Sequence, residues 1–494
     1  MKLGQIRKEL HKSKTVNFHE REIRGVADDS RAVSDGYLFI AVSGETQDGH
    51  PYAVDAVSNG AAAVVCERKL VLHETIPQII VQDAREAAAL IAAKFNGYPS
   101  ERLKVTGVTG TNGKTTTSYM LKSIIEAAGK SSGLLGTIQH IVANRHIRAK
   151  NTTPSVLDVN KLMAEMCREG QEYAVMEVSS HALMQKRVHG IHFDAAVFTN
   201  LTDNEHLDYH KTFAAYRDAK CKLFEPLPET SFAVLNLEDP SSGYIAQRTR
   251  AKVVTYGVSR EADVRSIVIS SSMAGTRFEL YTPGGTAEIG ASFFGRYNVS
   301  NATAAAAAAM CLGFGIDGIK AGLEQYAGTQ GRLEVVDCGQ DFSVLVDYAH
   351  SADALANVLT TLREVVPARI ILVFGCGGDR DKGKRPKMGA IAKKYSDYFV
   401  ITADNSRSEH TEDILAQIEA GIGDCNHYLV EPDRTAAIRL AINAARPGDV
   451  VLIAGKGHET YQISGNTTIP YDDREQARTA LGNLQKLPSE VTVA

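Results

Sequence analysis

The sequence contains no tryptophan, no CxxC pair, no long apolar run and no marked excess of either charge. The missing tryptophan decides nothing, but the other absences exclude whole classes. The seven cysteines (Cys66, Cys167, Cys221, Cys311, Cys338, Cys376 and Cys425) are scattered and odd in number. That pattern argues for a reducing cytoplasm and against a disulfide framework or a zinc cage. No apolar stretch reaches the length of about 18 residues that a spanning helix needs, so no membrane span is expected. The opening segment Met1–Lys14 is basic but has neither an apolar core nor a small-residue cleavage site, so it does not read as a secretory signal. A net charge of -4 gives no reason to expect a nucleic-acid partner.

What is present is the composition of a soluble globular protein: 494 residues, 44% hydrophobic and 23% charged. Length alone suggests roughly three domains of about 150 residues. Residues 1–98 carry short strand-like runs (Leu38–Val42, Ala63–Cys66, Ile79–Val81), and a helix Arg85–Phe95 ends at Asn96-Gly97 before a linker-like Tyr98-Pro99-Ser100. Residues 99–331 alternate helices with the strands Lys104–Val108, Ala174–Val178, Ala195–Thr199, Ala233–Leu235 and Val253–Tyr256. Within them, 264–294 read as a β-rich meander and Ala302–Met310 as a closely packed helix. Residues 332–494 alternate most cleanly, with strands Ile370–Phe374, Tyr398–Thr402 and Val450–Ala454. The expected architecture is α/β in three domains. They are a small α/β N-terminal domain, a central P-loop ATPase-type, mostly parallel sheet with a β-rich insertion, and a C-terminal Rossmann-like parallel sheet. Ligands of such sheets bind beyond the carboxyl ends of the strands, so the loops there are where a site is expected.

The strongest local signal is Gly107-Val-Thr-Gly110-Thr-Asn-Gly113-Lys114-Thr115-Thr116, which follows a predicted strand and opens a helix ending near Ala128, with Gly129 after it. Glycines let backbone N–H groups turn toward a phosphate, the helix N-terminus adds partial positive charge, Lys114 adds a full one, and Thr115 offers a hydroxyl to Mg²⁺. Gly110, Thr111, Asn112, Gly113, Lys114, Thr115 and Thr116 are therefore the candidate nucleotide contacts. The spacing departs from GxxxxGK[ST], because Val108 stands where the first glycine belongs. These residues predict nucleotide binding without saying what the phosphate is for.

Further strings follow: Glu177-Val-Ser-Ser-His181, Asn200-Leu-Thr with His206-Leu-Asp-Tyr-His210, Tyr216-Arg-Asp-Ala-Lys220, Gly295-Arg-Tyr-Asn298-Val-Ser-Asn301, Gly331-Arg-Leu-Glu334 and Asp347-Tyr-Ala-His350. In this order they resemble the Mur ligase family, which adds amino acids to the cytoplasmic peptidoglycan precursor. Asp29-Ser30-Arg31, Asn151-Thr-Thr-Pro154, Gly375-Cys-Gly-Gly-Asp-Arg-Asp381 and Ala454-Gly-Lys-Gly-His-Glu459 narrow the resemblance to the members that add the third residue, over about residues 25–475. The family implies that ATP phosphorylates the D-glutamate side chain of UDP-N-acetylmuramoyl-L-alanyl-D-glutamate, and that an amine then attacks the acyl phosphate. A carboxylate needs this activation because its own leaving group would be oxide. Catalysis is then chiefly positioning and charge neutralisation.

The resemblance also implies roles. Residues 1–98 would bind the UDP-precursor, 99–331 ATP and 332–494 the amino acid. Lys114 would span the terminal phosphates, Thr115 and Glu177 would hold one Mg²⁺, His206 a second, and Lys220 would meet Mg²⁺ as a carbamate. Asn301 and Asp347 look like adenine and ribose contacts, and Arg332 like a phosphate contact. Ser30, Asn151, Thr152, Thr153, Ser179 and Arg187 match precursor positions. Read in isolation, Glu177 would cap a neighbouring helix, Lys220 would lie on the surface, Arg187 would be solvated, and Asn298 or Asn301 would cap the alanine-rich helix. His206 and His210 at i, i+4 suggest zinc, yet no HExxH or third soft ligand accompanies them, and His210 stays unassigned. Three residues, Asp203-Asn-Glu205, stand where the family usually has two, which bears on the geometry of His206 and offers Glu205 a supporting charge role.

For the amine, members of the family divide mainly between meso-diaminopimelate and L-lysine. The former carries an extra carboxylate, which a guanidinium can hold bidentately. Asp404-Asn405-Ser406-Arg407 resembles the Asp-Asn-Pro-Arg of diaminopimelate-adding members, keeping the arginine but placing Ser406 where proline is typical. Arg380, Gly455 and Glu459 complete the set, with Glu459 to meet the far ammonium. Meso-diaminopimelate is the expected amine and L-lysine the alternative; in the plainest reading Arg407 pairs with Glu409 on the surface. A P-loop ATPase or kinase would leave Arg380, Arg407 and Glu459 unexplained. Asp29-Ser-Arg31 and Asn151-Thr-Thr-Pro154 speak against a folylpolyglutamate or cyanophycin type. The joint presence of Lys114, Glu177, His206 and Lys220 speaks against an inactive paralogue.

Overall fold

A computed structural model describes residues 1–44, 47–202, 207–258 and 261–484. Among the described residues three large sheets follow one another along the chain, with a two-stranded hairpin after them. The first has five strands, in the spatial order Lys14–Val16, Gln78–Ile80, Ala61–Cys66, Tyr37–Ile40, Gly25–Ala27. All of its pairings are parallel except that of Lys14–Val16 at the edge. The helix Ala84–Phe95 covers it, started by Asp83, whose side chain accepts from the Glu86 N–H. The expected linker is a packed turn: Tyr98 takes φ +50, Pro99 and Ser100 are buried, and Ser100 Oγ accepts from His192 N at 3.2 Å.

The central sheet has eleven strands. Its parallel core is Lys252–Gly257, Phe232–Asn236, Ala195–Phe198, Lys104–Thr109, Tyr173–Glu177 and Ser132–Leu135, side by side in that order. Such strands are buried on both faces and therefore read as unbroken apolar runs. The β-rich segment is a continuation of this sheet, since Val264–Ser272 pairs in parallel with Lys252–Gly257 before the antiparallel strands Gly275–Thr282 and Gly285–Ala291. At the opposite edge, the strands Gln139–Val142 and Arg145–Arg148 add antiparallel pairings. The last of these is polar and largely exposed, so it has no apolar alternation to reveal it. The helix Arg296–Cys311 is buried nearly throughout and packs on Lys114–Ala127. A second helix, Ile316–Gln325, packs on Lys114–Ala127 as well, closely enough at Gly322 that a Cβ would sit 2.3 Å from Ile124 Cα.

The third sheet orders Glu334–Val335, Ser343–Asp347, Val450–Ala454, Ile370–Phe374, Tyr398–Ile401 and Tyr428–Val430, parallel except at the first. Separate apolar clusters fill its two faces. Arg434 and Asp473 form a fully buried bidentate pair at 2.7 Å beneath the strand ends. A hairpin, Tyr461–Ser464 with Thr467–Pro470, follows the last strand. Among the described residues no helix is long and apolar enough to cross a membrane.

Candidate functional site

The strand Lys104–Thr109 lies between Ala195–Phe198 and Tyr173–Glu177, so its end opens into the centre of the second sheet. Val108, the departure from the glycine pattern, is still within the strand and needs no unusual φ. The close approaches fall on the later glycines. Gly110 has φ +152 and Gly113 φ +85. A Cβ would come within 1.8 Å of Thr199 Oγ1 at the first and 2.3 Å of Asn301 Oδ1 at the second. Asn200 holds the loop, its backbone oxygen accepting from Thr111 N at 2.8 Å and its Oδ1 from Asn112 N at 2.9 Å. Lys114 arches back over the loop, Nζ donating to the oxygens of Gly110 and Thr111, both at 2.8 Å. Thr115 and Thr116 are buried in the first helical turn.

Glu177 ends its strand fully buried. Its Oε2 accepts from Thr115 Oγ1 at 2.9 Å and lies 2.8 Å from Thr137 Oγ1, and its Oε1 accepts from Thr137 N at 2.9 Å. It therefore does not cap a helix; it is fastened to the phosphate loop. Two hard oxygens, Thr115 Oγ1 and Glu177 Oε2, stand side by side, which suits Mg²⁺. Among the described residues no cluster of three or more His, Cys, Asp or Glu could hold a metal.

A cavity of about 820 Å³ opens in front of this loop. Its walls include Thr111–Thr116, Thr137, Thr152, Asn301, Arg332, Asp347 and Tyr348. Arg332 stacks 4.7 Å above the Tyr348 ring and directs Nη2 to Thr115 Oγ1 at 3.4 Å, while its buried Nε has no hydrogen-bond partner among the described residues. Asn112 Nδ2 is likewise buried and unpartnered beside the loop. Unmatched donors at a positive helix end are the complement of an anion. Asp347 receives the backbone N–H groups of Leu333 and Ala349, both at 2.8 Å, and burial pushes its carboxyl above the usual range against the pull of Arg332. Asn298 and Asn301 lie inside their helix, whose N-cap is Gly295, so neither caps it. Asn298 donates to Phe294 O, and Asn301 faces Gly113 and Thr117.

The precursor candidates are not all together. Thr152 lines the cavity, with its Oγ1 3.1 Å from that of Thr137. Thr153 is buried, donating to Glu177 O at 2.8 Å and accepting from Ser179 N at 3.1 Å. Ser179 also caps the helix Ser180–Met184. Arg187 is half-buried rather than solvated and donates to Thr153 O at 2.8 Å. Asn151 is exposed next to them. Ser30 belongs to the first sheet, in the short turn capped by Asp29 and held by Asn59 Nδ2 at 3.0 Å. Lys186, next to Arg187, ties the two regions through Asp83 and Glu86 at 2.7 and 3.0 Å.

The amine candidates gather at strand ends of the third sheet. Arg407 takes φ +52. Its Nη1 donates to Gly378 O at 2.6 Å, its N–H to Ile463 O at 3.3 Å, and its carbonyl accepts from Gly465 N at 2.7 Å. Glu409 is not its partner: it is gripped bidentately by buried Arg385 at 2.9 Å and by Lys382 at 3.1 Å. Ser406 is buried, and its carbonyl accepts from Glu409 N, so the loop is shaped without proline. Arg380 is exposed, donating to Asp379 O at 3.0 Å. Gly455 has φ +116 and lies so close to Asp404 that a Cβ would sit 2.9 Å from Oδ2. Asp404 is buried; burial acts to raise its carboxyl, but Lys456 and Arg434 hold it below the usual range. Glu459 accepts from Asn405 Nδ2 at 2.9 Å, and burial together with Asp404 pushes its carboxyl up.

Models of known families match three stretches: the Mur ligase family catalytic domain at residues 22–102, the Mur ligase middle domain at 108–309, and the Mur ligase glutamate ligase domain at 331–457. A UDP-N-acetylmuramoyl-L-alanyl-D-glutamate--2,6-diaminopimelate ligase of Geobacillus kaustophilus is 47% identical, over 92% of this chain and 94% of its own length. The chain belongs to the Mur ligase family. A ligase of the same name from Bacillus velezensis is 45% identical, over 95% of this chain and 96% of its own. A solved structure of a ligase of that name is 32% identical with a TM-score of 0.68, covering 94% of this chain and 96% of its own. Folylpolyglutamate synthase of Mycobacterium tuberculosis shares the fold at 17% identity, with a TM-score of 0.62 over 81% of this chain and 95% of its own.

In this Mur ligase Lys220 is not a surface residue. It is 2% exposed, on the helix Phe213–Cys221, with Nζ 4.6 Å from the Tyr216 ring centre. Tyr216 in turn places its hydroxyl 3.2 Å from Thr111 Oγ1, which ties this helix to the phosphate loop. His210 is buried with Nε2 2.9 Å from Ser180 Oγ, a structural contact. His206, and the Asp203–Glu205 insertion with it, lies outside the described residues. Sequence reasoning missed Thr137, Tyr216, Tyr348 and Lys456. The first three carry no charge to flag them. Lys456 sits within the Ala454–Glu459 string, where the glycines and Glu459 drew attention away from it.

Proposed function

We propose that this Mur ligase uses ATP and Mg²⁺ to activate the D-glutamate carboxylate of UDP-N-acetylmuramoyl-L-alanyl-D-glutamate as an acyl phosphate and then joins it to meso-diaminopimelate in the cytoplasm. One observation carries the reading. A polar path runs Thr152–Thr137–Glu177–Thr115–Arg332, with steps of 3.1, 2.8, 2.9 and 3.4 Å, and all of its members but the fully buried Glu177 line the cavity. It sets the precursor segment, the phosphate loop and the C-terminal third against the same space. The names of the relatives that are 45–47% identical support the choice of substrates.

Residues 1–98 are assigned to the precursor, 99–331 to ATP and 332–494 to the amine. Lys114 and the N-terminus of its helix neutralise charge on the transferring phosphoryl group, and Arg332 adds a guanidinium from the other side. Bound Mg²⁺ would supply further neutralisation; Thr115 and Glu177 fit it, with His206 assigned to a second ion. Lys220 is assigned as a carbamate: buried beside Tyr216, it would become an anionic oxygen donor. Asn301 and Asp347 are assigned to the adenosine. Ser30, Asn151, Thr152, Thr153, Ser179 and Arg187 are assigned to the precursor. In the third sheet Arg407, with Arg380 nearby, takes the distal carboxylate of the amine and Glu459 its far ammonium, framed by Asp404, Asn405, Ser406 and Gly455.

The test is an amine panel with purified chain, ATP and precursor. ADP release is expected only when precursor and amine are both present, with diaminopimelate incorporated at the higher kcat/KM. Equal or better incorporation of L-lysine would overturn the choice of amine; ADP release without either substrate would overturn the ligase. Lys220→Ala is expected to lose most turnover without rescue by bicarbonate, and wild-type activity in that variant would remove the residue from the mechanism.

A further inference from the structure

Lys456 has no role in the reaction as assigned above, yet it is among the most deeply buried charges in the protein, with a side chain 0% exposed. Its Nζ donates to Asn405 Oδ1 at 3.0 Å and to Tyr461 O at 2.9 Å, and stands 3.7 Å from Asp404 Oδ1. An ammonium in that position needs a reason, because burial disfavours its charge. Asn405 supplies one. Its Oδ1 receives two donors, Lys456 Nζ and Ile463 N, the latter at 2.9 Å, which leaves only Nδ2 to face Glu459 Oε2 at 2.9 Å. An amide can present either end to a neighbour, and here the two donors choose which.

The charges in the cluster point the same way. Asp404, Glu459 and Asp473 stand against Arg434, Lys456 and Arg407, three carboxylates to three cations. Arg434 is committed to Asp473 and to the carbonyls of Ala403 and Ala454. Lys456 is thus a cation that acts on both Asp404, 3.7 Å away, and Glu459.

We propose that Lys456 is a positioning residue for the incoming amine: it fixes the Asn405 amide so that Nδ2 orients Glu459, and it shields Glu459 from Asp404, readying that carboxylate for the ammonium. The inference rests on the reading of Glu459 as the ammonium contact. The groups acting on Glu459 are Asp404, Asn405 and Arg407 from the loop after Tyr398–Ile401, Lys456 and Tyr461 from its own segment, and Tyr348 from the loop after Ser343–Asp347. Asp404 raises the carboxyl, while Lys456, Asn405 and Arg407 lower it. Removing Lys456 therefore leaves Glu459 protonated to a higher pH.

The experiment is Lys456→Met in the full chain, with KM measured for each substrate across pH. The amine KM should rise about tenfold or more, as expected when a buried hydrogen-bonded charge is lost, while KM for ATP and precursor stay within about twofold. The acidic limb of kcat/KM for the amine should move to higher pH. Asn405→Ala should raise the amine KM similarly, and the double variant should cost less than the two single effects multiplied, since part of the action of Lys456 passes through Asn405. An unchanged amine KM, or an equal rise for all three substrates with the acidic limb in place, overturns the proposal. If Lys456→Met does not fold, Asn405→Asp decides. That change keeps the acceptor for Lys456 but turns an oxygen toward Glu459, so the amine KM and the limb should both rise, and no change in either sinks the idea. The wild-type amine panel separates this from the choice of substrate. If L-lysine is preferred, the diaminopimelate reading fails and the same measurements are made with L-lysine, which also carries a far ammonium.

Discussion

The phosphate loop and the proposed amine site are built from different materials. Around Lys114 the work is done by backbone: Gly110 and Gly113 in conformations that favour glycine, N–H groups pinned by Asn200, and a helix N-terminus. At Arg407 it is done by side-chain charge, in a buried lattice of Asp404, Lys456, Glu459, Arg434 and Asp473. A phosphate is the same in every nucleotide, so a fixed backbone cradle suffices. An amino acid must be told from its relatives, and discrimination comes from charges placed where only one partner completes them.

This difference predicts unequal consequences when each site is cut. Lys114→Ala removes a charge from the transferring phosphoryl group, and kcat should fall by about 10³ or more, since electrostatic stabilisation of this kind is usually the largest single contribution. Single-turnover phosphate release would show it, with the melting temperature nearly unchanged. Arg407→Ala should act on binding instead. The diaminopimelate KM should rise by about 30- to 100-fold, the scale of a charge-assisted bidentate contact, while KM for L-lysine changes little. If both amines suffer alike, Arg407 shapes the loop and does not read the distal carboxylate.

Legibility in the sequence divides along the same line. The phosphate loop is contiguous, so its residues and their order betray it, and the adjoining strands are apolar on both faces. The amine site is assembled from the ends of separate strands and the hairpin behind them. Arg407 and Glu459 could be named from their strings, but Lys456 could not, because only the fold brings it to Asn405. Burial is the property that a string of residues reveals least. Lys220 and Arg187 look like surface cations in sequence, yet one is 2% exposed and the other is spent on Thr153 O. Glu409 looks like a partner for Arg407 in sequence, but Arg385, 24 residues earlier on the helix Lys384–Tyr395, occupies it.

A smaller effect is expected where the cradle itself is altered. Gly113→Ala must place a Cβ 2.3 Å from Asn301 Oδ1 at φ +85. Backbone strain of this kind costs about 1–3 kcal/mol, so the ATP KM should rise about tenfold, with the amine KM at saturating ATP unaffected. A rise in the amine KM as well would mean that the two sites are less independent than their construction suggests.

The smallest predicted effect probes that independence from the other side. Arg148 ends the exposed edge strand Arg145–Arg148, three residues before Asn151, and its guanidinium lies 5.0 Å from the Tyr461 ring centre. Tyr461 opens the hairpin whose Ile463 pairs with Arg407 and Asn405. The contact thus joins the segment proposed for the precursor to the one proposed for the amine, and an exposed cation–π pair is worth about 0.5–1 kcal/mol. Arg148→Ala should therefore raise the amine KM about two- to fivefold and leave the ATP KM alone. Tyr461→Leu should do the same, and the two together no more than either, if the pair acts as one link. An unchanged amine KM in Arg148→Ala would mean that the charge lattice holds Arg407 in place without help from the central sheet.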